Sequence, residues 1–410
     1  MIEAIGKYNT AKIFTDTIDE TAYAQVLELC NQKAFEGVQI RIMPDTHAGK
    51  GCVIGYTAEL GGRVVPNLIG VDIGCGMEVT SLGPIDINFE KLDHFIRHQV
   101  PHGHSIHQKI AHPIHKPVLE QKIENIANKT GTVYEKHLRS VGSLGGGNHF
   151  IEINEDSAGN KILVIHSGSR NLGLQVAKYH QKKAELYCTD RMKDLTLQQN
   201  EEIGLLKKSG NLDAIPAVIE KYKALMEVYQ VPKPLMYLEG AGADEYLADM
   251  YAAQEFALLN RQGMSKAIAE FLNLDYRQLE KFTTIHNYIN PEDKIIRKGA
   301  ISAKAGEKVI IPINMRDGSI IAIGKGNPDW NHSAPHGAGR LMSRSRAKDI
   351  LHMNDFKDTM RGVWTSSVST ATLDEAPMAY KPIEEILENT VDALEIVEII
   401  KPLYNFKASN

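Results

Sequence analysis

Several polar side chains of this 410-residue chain sit where polarity is least expected, between glycines or at the ends of apolar runs. Asp72 and Cys75 lie three residues apart in GVDIGCGM, and the flanking glycines allow a tight turn that aims a carboxylate and a thiolate at one point. Together these groups are ligands for a transition metal. His149 in LGGGNHFIEI, His166 in ILVIHSGSR and His286 in TTIHNYI share the setting, each at the edge of a predicted strand from which an imidazole can project into a cleft. Any one of these histidines also reads as a hydrogen-bonded core residue, and Cys75 alone as a small buried hydrophobe. Their joint occurrence is the signal.

A second chemistry is suggested by SAPHGAGRLMSRSRAKDI at 333–350. His336 precedes a glycine-rich turn, and Arg340, Arg344 and Lys348 recur every four residues, so a helix starting at Arg340 would carry them on one face. Cations along a helix behind a glycine turn suit phosphate; the competing reading is a solvated basic face. In HSGSR at 166–170, Ser167, Ser169, Arg170 and backbone amides offer a smaller anion nest. HGHSIHQKIAHPIH contains His102, His104, His107, His112 and His115 and reads as an accessory metal site, an RNA-contacting loop or a polar surface loop.

These residues need elements to carry them. Short β-branched runs at 38–44, 52–57, 64–74 and 77–82, joined by glycine turns, predict strands in the first 160 residues. Long charged segments with helical spacing follow up to about residue 272, and strand texture returns in FTTIHNYI, EKVIIPI and SIIAIG before helices predicted from Ala338 to the C-terminus. Strand-rich material on both sides of a helical middle predicts a mixed α/β fold: a single large domain, 1–410, with a strand-rich core around a buried metal site and a helical insertion at 172–275. Composition agrees, with 43% hydrophobic and 24% charged residues, which excludes wholesale disorder. A net charge of −5 supplies no global attraction for polyanions, so any polyanion must bind a local basic patch. Four scattered cysteines without CxxC, a charged N-terminus and no long apolar run predict a cytoplasmic protein with no membrane segment.

Eight motifs, in order, then carry a resemblance: MPDTHAGKG at 43–51, GVDIGCGM at 70–77, GGGNHFIE at 145–152, HSGSR at 166–170, HNY at 286–288, RKGA at 297–300, HGAGR at 336–340 and PMAYK at 377–381. The chain resembles the RtcB-type RNA-splicing ligases, and Lys407 resembles that family's near-terminal lysine. The resemblance implies joining of RNA ends bearing a 3′-phosphate or 2′,3′-cyclic phosphate to 5′-hydroxyl ends, with GTP and two Mn2+ ions, and leaves room for an activating protein partner. It makes Asp72, Cys75, His149, His166 and His286 the metal ligands, with Cys75 the bridge. It makes His336 the nucleophile that takes up GMP, and places Asn148, Phe150, Glu152, Tyr380 and Lys407 on the nucleotide, with Asn314, Gly337 and Gly339 beside it. Asp45, Arg170, Arg340, Arg344 and Lys348 are then expected along the RNA and phosphate path.

Three points stand beside this resemblance. Strict alternation along a strand would put Asn148, Phe150 and Glu152 on one face and His149 on the other. PINMRDGS at 312–319 departs from the family's glycine-serine-methionine-glycine loop, adding Arg316 and Asp317, and Ile285 stands where many relatives have a second histidine. By ligand softness alone the set suits zinc or cobalt as well as manganese, so manganese rests on the resemblance. A dinuclear metal phosphoesterase and a catalytically silent RNA-binding paralogue are the alternatives.

Overall fold

The computed structural model describes residues 1–408. Its strands are β1 (Ile2–Ile5), β2 (Thr10–Ile13), β3 (Ile40–His47), β4 (Ile54–Glu59), β5 (Gly76–Gly83), β6 (Phe150–Glu155), β7 (Lys161–Ser167), β8 (Lys281–Ile285), β9 (Asn287–Ile289), β10 (Ile295–Lys298), β11 (Ala300–Ser302), β12 (Lys308–Asn314), β13 (Gly318–Gly324), β14 (Ser333–Pro335) and β15 (Leu394–Lys407). The helices are α1 (Glu20–Cys30), α2 (Phe89–Gln99), α3 (Pro117–Thr130), α4 (Tyr134–Leu138), α5 (Arg170–Lys208), α6 (Ile215–Glu227), α7 (Gly240–Phe271), α8 (Arg344–Ile350), α9 (Met353–Thr359) and α10 (Ile383–Asn389). This is a mixed α/β domain with a sheet-rich core.

Two large sheets form that core. The first runs β1-β2-β3-β4-β10-β9, and its one parallel pair, β2 with β3, is joined through α1 as a crossover requires. The second runs β12-β13-β15-β6-β7-β5-β8 and is antiparallel throughout. Antiparallel neighbours alternate start and finish, so the starts of β6 and β5 and the ends of β7 and β8 lie along one rim. Pairings there match Phe150 with His166, and Gly76 with both Ser167 and Ile285. A connection of one residue, His286, links β8 in the second sheet to β9 in the first.

Three local expectations are corrected. Residues 64–74 are not a strand: Pro66 lacks a ladder donor, and Pro66–Leu68 form a 3-10 turn followed by loop. The end of the chain is not wholly helical, because LEIVEIIKPLYNFK forms β15, seated between β13 and β6. The helix expected from Arg340 starts at Arg344, where the Ser343 side chain caps it by accepting from the Arg346 amide. The long helices 170–208 and 240–271 also share one apolar cluster with β1 to β4: Val176, Ala184 and Phe256 pack with Ile13, Ile42 and Ala58.

Candidate functional site

The rim described above gathers the five candidate ligands. Asp72 and Cys75 immediately precede β5, His166 lies near the end of β7, His149 immediately precedes β6, and His286 occupies the link between the sheets. Cys75 Sγ lies 3.4 Å from His149 Nε2 and 3.3 Å from His166 Nε2. Asp72 Oδ2 is 3.0 Å from His149 Nε2, and His166 and His286 face each other through their Nε2 atoms at 3.3 Å. Cys75, His149 and His166 therefore form one three-donor group, which Asp72 adjoins through His149 and His286 through His166.

The spacing fits metal. Donors around one tetrahedral ion lie about 3.3–3.6 Å apart, given bonds of about 2.0–2.3 Å. The imidazoles are also turned correctly: His149 Nδ1 donates to Leu144 O at 2.8 Å and His166 Nδ1 to Asn148 O at 3.2 Å, leaving each Nε2 lone pair directed inward. Burial drives the His166 and His286 pKa values well down, so both rings are in the neutral form that coordinates. Burial, reinforced by Asp72, pushes the Cys75 thiol well up, so an ion entering here displaces a proton. For Asp72, burial alone would raise the pKa, but His149 and then Arg170 hold the carboxyl below its ordinary value.

Asp72 also answers the question of the anion nest in HSGSR. The Ser169 amide donates to Asp72 Oδ1 at 3.1 Å, so the nest holds the protein's own carboxylate. Gly168 is required there, since a Cβ would lie 2.2 Å from that oxygen. Arg170 does not line the cleft; it donates to Ser143 Oγ and to Gly103 O.

Above the ligands lies a cleft of about 260 Å³. Asn148, Phe150 and Glu152 line it, and the alternation conflict disappears because His149 precedes the strand and is not bound by its pleat. Asn314, Gly337, Gly339, Tyr380 and Lys407 line it as well, and His336, Arg340 and Arg344 complete the wall. Gly339 has a second duty: at φ +76°, its Cα passes so close to Asp45 that a Cβ would sit 2.6 Å from that residue's carbonyl oxygen.

Asp45 lies behind His336 and does not line the cleft. Its Oδ2 accepts from His336 Nδ1 at 2.6 Å and from the His336 amide at 3.1 Å, while the side chain is fully buried. An imidazole that donates from Nδ1 to this carboxylate keeps its Nε2 lone pair available to the cleft. The His336 ring centroid is 4.7 Å from that of the candidate ligand His286.

The basic residues of 340–348 do not form a free cationic face. Arg344 binds Asp374 Oδ2 at 2.7 Å and pairs with Glu375; Lys348, which does not line the cleft, is 3.3 Å from Asp374. Glu375 also takes Tyr380 OH at 2.7 Å and Lys407 Nζ. Burial would raise the Glu375 pKa, yet Lys407 and Arg344 hold it at about 2. Lys407 Nζ also sits 5.6 Å from the Phe150 ring centre, so one wall joins an aromatic face to two cations organised by a buried carboxylate.

Sequence reasoning missed Asp374, Glu375, Asn287 and Asn405. Asn287 is beside His286 and ties the Asp72 carbonyl to the Gly299 amide. Asn405 is directly opposite Glu152 and donates to its Oε2 at 2.6 Å. The available signal was alternation: Asn405 and Lys407 share a face of β15. The histidine-rich loop assembles no three-donor group among the described residues. His180, Glu245 and Asp249 do cluster, but Lys129 and Lys183 already neutralise the two acids.

Burial raises the Glu152 carboxyl to about 7 from 4.5, against hydrogen bonds from Asn154 and Asn405. Between those values the native state holds a proton that the unfolded chain has released, so stability falls as pH rises through that window, by about 3 kcal/mol. Glu152→Gln should remove that part of the slope, measured as the variant-minus-native difference in urea unfolding free energy at pH 5 and pH 7.5. An unchanged difference would count against the buried carboxyl.

A family model described as tRNA-splicing ligase RtcB matches residues 28–408. The chain belongs to the RtcB family. It is 31% identical over 394 residues to the RNA-splicing ligase RtcB of Escherichia coli (strain K12), with 88% of each chain covered. It is 26% identical over 450 residues to the tRNA-splicing ligase RtcB of Aeropyrum pernix, covering 88% of this chain and 86% of that one. Against the tRNA-splicing ligase RtcB of Archaeoglobus fulgidus it is 25% identical over 468 residues, covering 92% and 90%. RtcB membership supports RNA ligation and an RNA substrate, and with the buried His/Cys/Asp cluster it points to metal dependence. Among the described residues no helix is long and apolar enough to cross a membrane.

Proposed function

We propose that the protein is a GTP- and Mn2+-dependent RNA ligase that joins 3′-phosphate or 2′,3′-cyclic phosphate ends to 5′-hydroxyl ends through a guanylylated His336. The observation that carries this reading is the Asp45–His336 pair beside the ligand cluster. A phosphoesterase needs the metals alone, whereas an imidazole held in one tautomer, Nε2 toward the cleft and its ring against a ligand's ring, suits attack on phosphorus.

Two metal ions held by Asp72, Cys75, His149, His166 and His286 would neutralise phosphate oxygens and so lower the cost of charge developing in transfer. His336 Nε2 attacks the α-phosphorus of GTP, a P–N bond forms, and pyrophosphate leaves. The guanylyl group then passes to the RNA 3′-phosphate, which a 2′,3′-cyclic end supplies once water has opened its ring and left the 2′-hydroxyl free; this step frees His336. Attack by the 5′-hydroxyl on the activated phosphorus closes the phosphodiester and releases GMP. Asp45 holds the imidazole's orientation through the cycle and offsets charge on the ring as the P–N bond forms. Arg340 and Arg344 line the cleft, where they would meet the phosphates. Glu152 supports guanine as the base, since its carboxylate, once ionised above about pH 7, accepts from the N1–H and 2-amino group, a donor pair that adenine lacks. Phe150 offers a face for stacking, and Lys407 and Tyr380 close the wall.

Incubation with α-labelled GTP followed by denaturing electrophoresis tests the reading. The ligase retains label through an acid-labile bond; a phosphoesterase or a silent RNA binder retains none. Asp45→Asn should slow single-turnover labelling by about 10³–10⁴-fold, because the amide can donate to Nδ1 and move the ring proton to Nε2. A rate within tenfold of the native protein removes Asp45 from the mechanism.

A further inference from the structure

Helix α7 passes behind the second sheet, packed on β5 and β7, and carries two fully buried polar side chains in succession. Asn260 Oδ1 accepts from the Gly142 and Ser143 amides at 2.9 and 3.0 Å, and its Nδ2 donates to Ser167 Oγ and Gly168 O at 3.1 and 3.0 Å. Arg261 Nη1 donates to Gly74 O at 2.8 Å and Ser167 O at 2.9 Å. Every one of these backbone groups adjoins a candidate ligand. Gly74 precedes Cys75, Ser167 follows His166, Gly168 cradles the Asp72 carboxylate, and Gly142–Ser143 begin the turn whose Leu144 carbonyl holds His149 Nδ1.

Burying an arginine with no carboxylate partner is costly, and Arg261 is in no ion pair among the described residues. Cys75, Glu78 and Asp72 offset part of that cost from a distance, while the charge opposes any cation bound in front of it. What the guanidinium supplies is reach: one nitrogen grips two carbonyls on separate ligand-bearing segments, which an apolar side chain cannot do. We propose that Asn260 and Arg261 are positioning residues that set the spacing of the metal ligands from behind the sheet. This rests on the reading of Asp72, Cys75, His149 and His166 as ligands.

Arg261→Lys isolates the geometry, because it keeps the charge and loses the double grip. Chelator competition with Mn2+, and the thiolate-to-metal absorption of the Co2+-loaded protein, are measured on folded native and variant chains. Expected are ions held about 10–100-fold more weakly and a shifted cobalt band, as follows when the groups orienting metal ligands are disturbed. Arg297→Lys is the control: Arg297 is equally buried but grips the Asn331 and His332 carbonyls, and its loss should lower melting temperature without moving either readout. Native affinity and spectrum in Arg261→Lys, or an equal loss in Arg297→Lys, overturns the proposal. Should Arg261→Lys fail to fold, hydrogen exchange on the native protein decides. Loading with Mn2+ should slow amides 257–264 in α7 but not those of α3, and unchanged α7 exchange overturns the proposal. If the native protein takes up no ion, the ligand reading itself has failed.

Discussion

His336→Ala should accept no label from α-labelled GTP while still binding the nucleotide and metal. Of the other imidazoles lining the cleft, His166 and His286 direct Nε2 into the candidate ligand cluster, and His47 has its Nδ1 on the Asp45 carbonyl, not on a carboxylate that could offset charge on the ring. The loss should therefore be complete. Alanine leaves Asp45 buried beside a missing donor, a cost of about 1–3 kcal/mol that a melting curve would report. His336→Asn, which can restore a donor to Asp45, should recover that stability and none of the labelling. Label retained by either variant would end the case for a guanylylated His336.

The second large effect concerns Cys75. Its sulfur meets both His149 and His166, so under the bridging reading Cys75→Ala should empty both positions, whereas His286→Ala should empty one and Asp72→Ala the other. Metal content by mass spectrometry after gel filtration should read about zero, one and one ions per chain under one-thiolate coordination. A Cys75→Ala protein with two tightly held ions would sink the bridging assignment. Equal losses in His286→Ala and Asp72→Ala, each of both ions, would instead mean that the positions fill only together.

How far these residues could be read from the sequence depends on how local their signals were. The candidate ligands were legible one by one, since glycine-flanked acids, thiols and imidazoles are unusual in short apolar runs. Their convergence was not, because it arises from antiparallel pairing between strands far apart in the chain. Asp45 was expected on the phosphate path, and nothing local to MPDTHAGKG foretells that its carboxylate meets His336. Arg344 and Lys348 were expected to face RNA, but Asp374 and Glu375, which occupy them, looked like ordinary loop acids. β15 escaped notice because Pro402 and charged residues break its alternation; the structure absorbs the proline at a register shift between Pro402 and Tyr404.

The place of β15 also governs when the enzyme can come into being. A ribosome delivers β5 to β8 long before residues 394–407, so the ligand-bearing strands can pair while the chain is still growing. β6 must meanwhile wait with one edge open, and the β12–β13 hairpin has no route to it until β15 arrives between them. Such non-local closure is slow and leaves an exposed template for mispairing. Lys407 and Asn405 arrive on that strand, so a nascent chain should assemble the candidate metal rim first and the wall proposed for the nucleotide last.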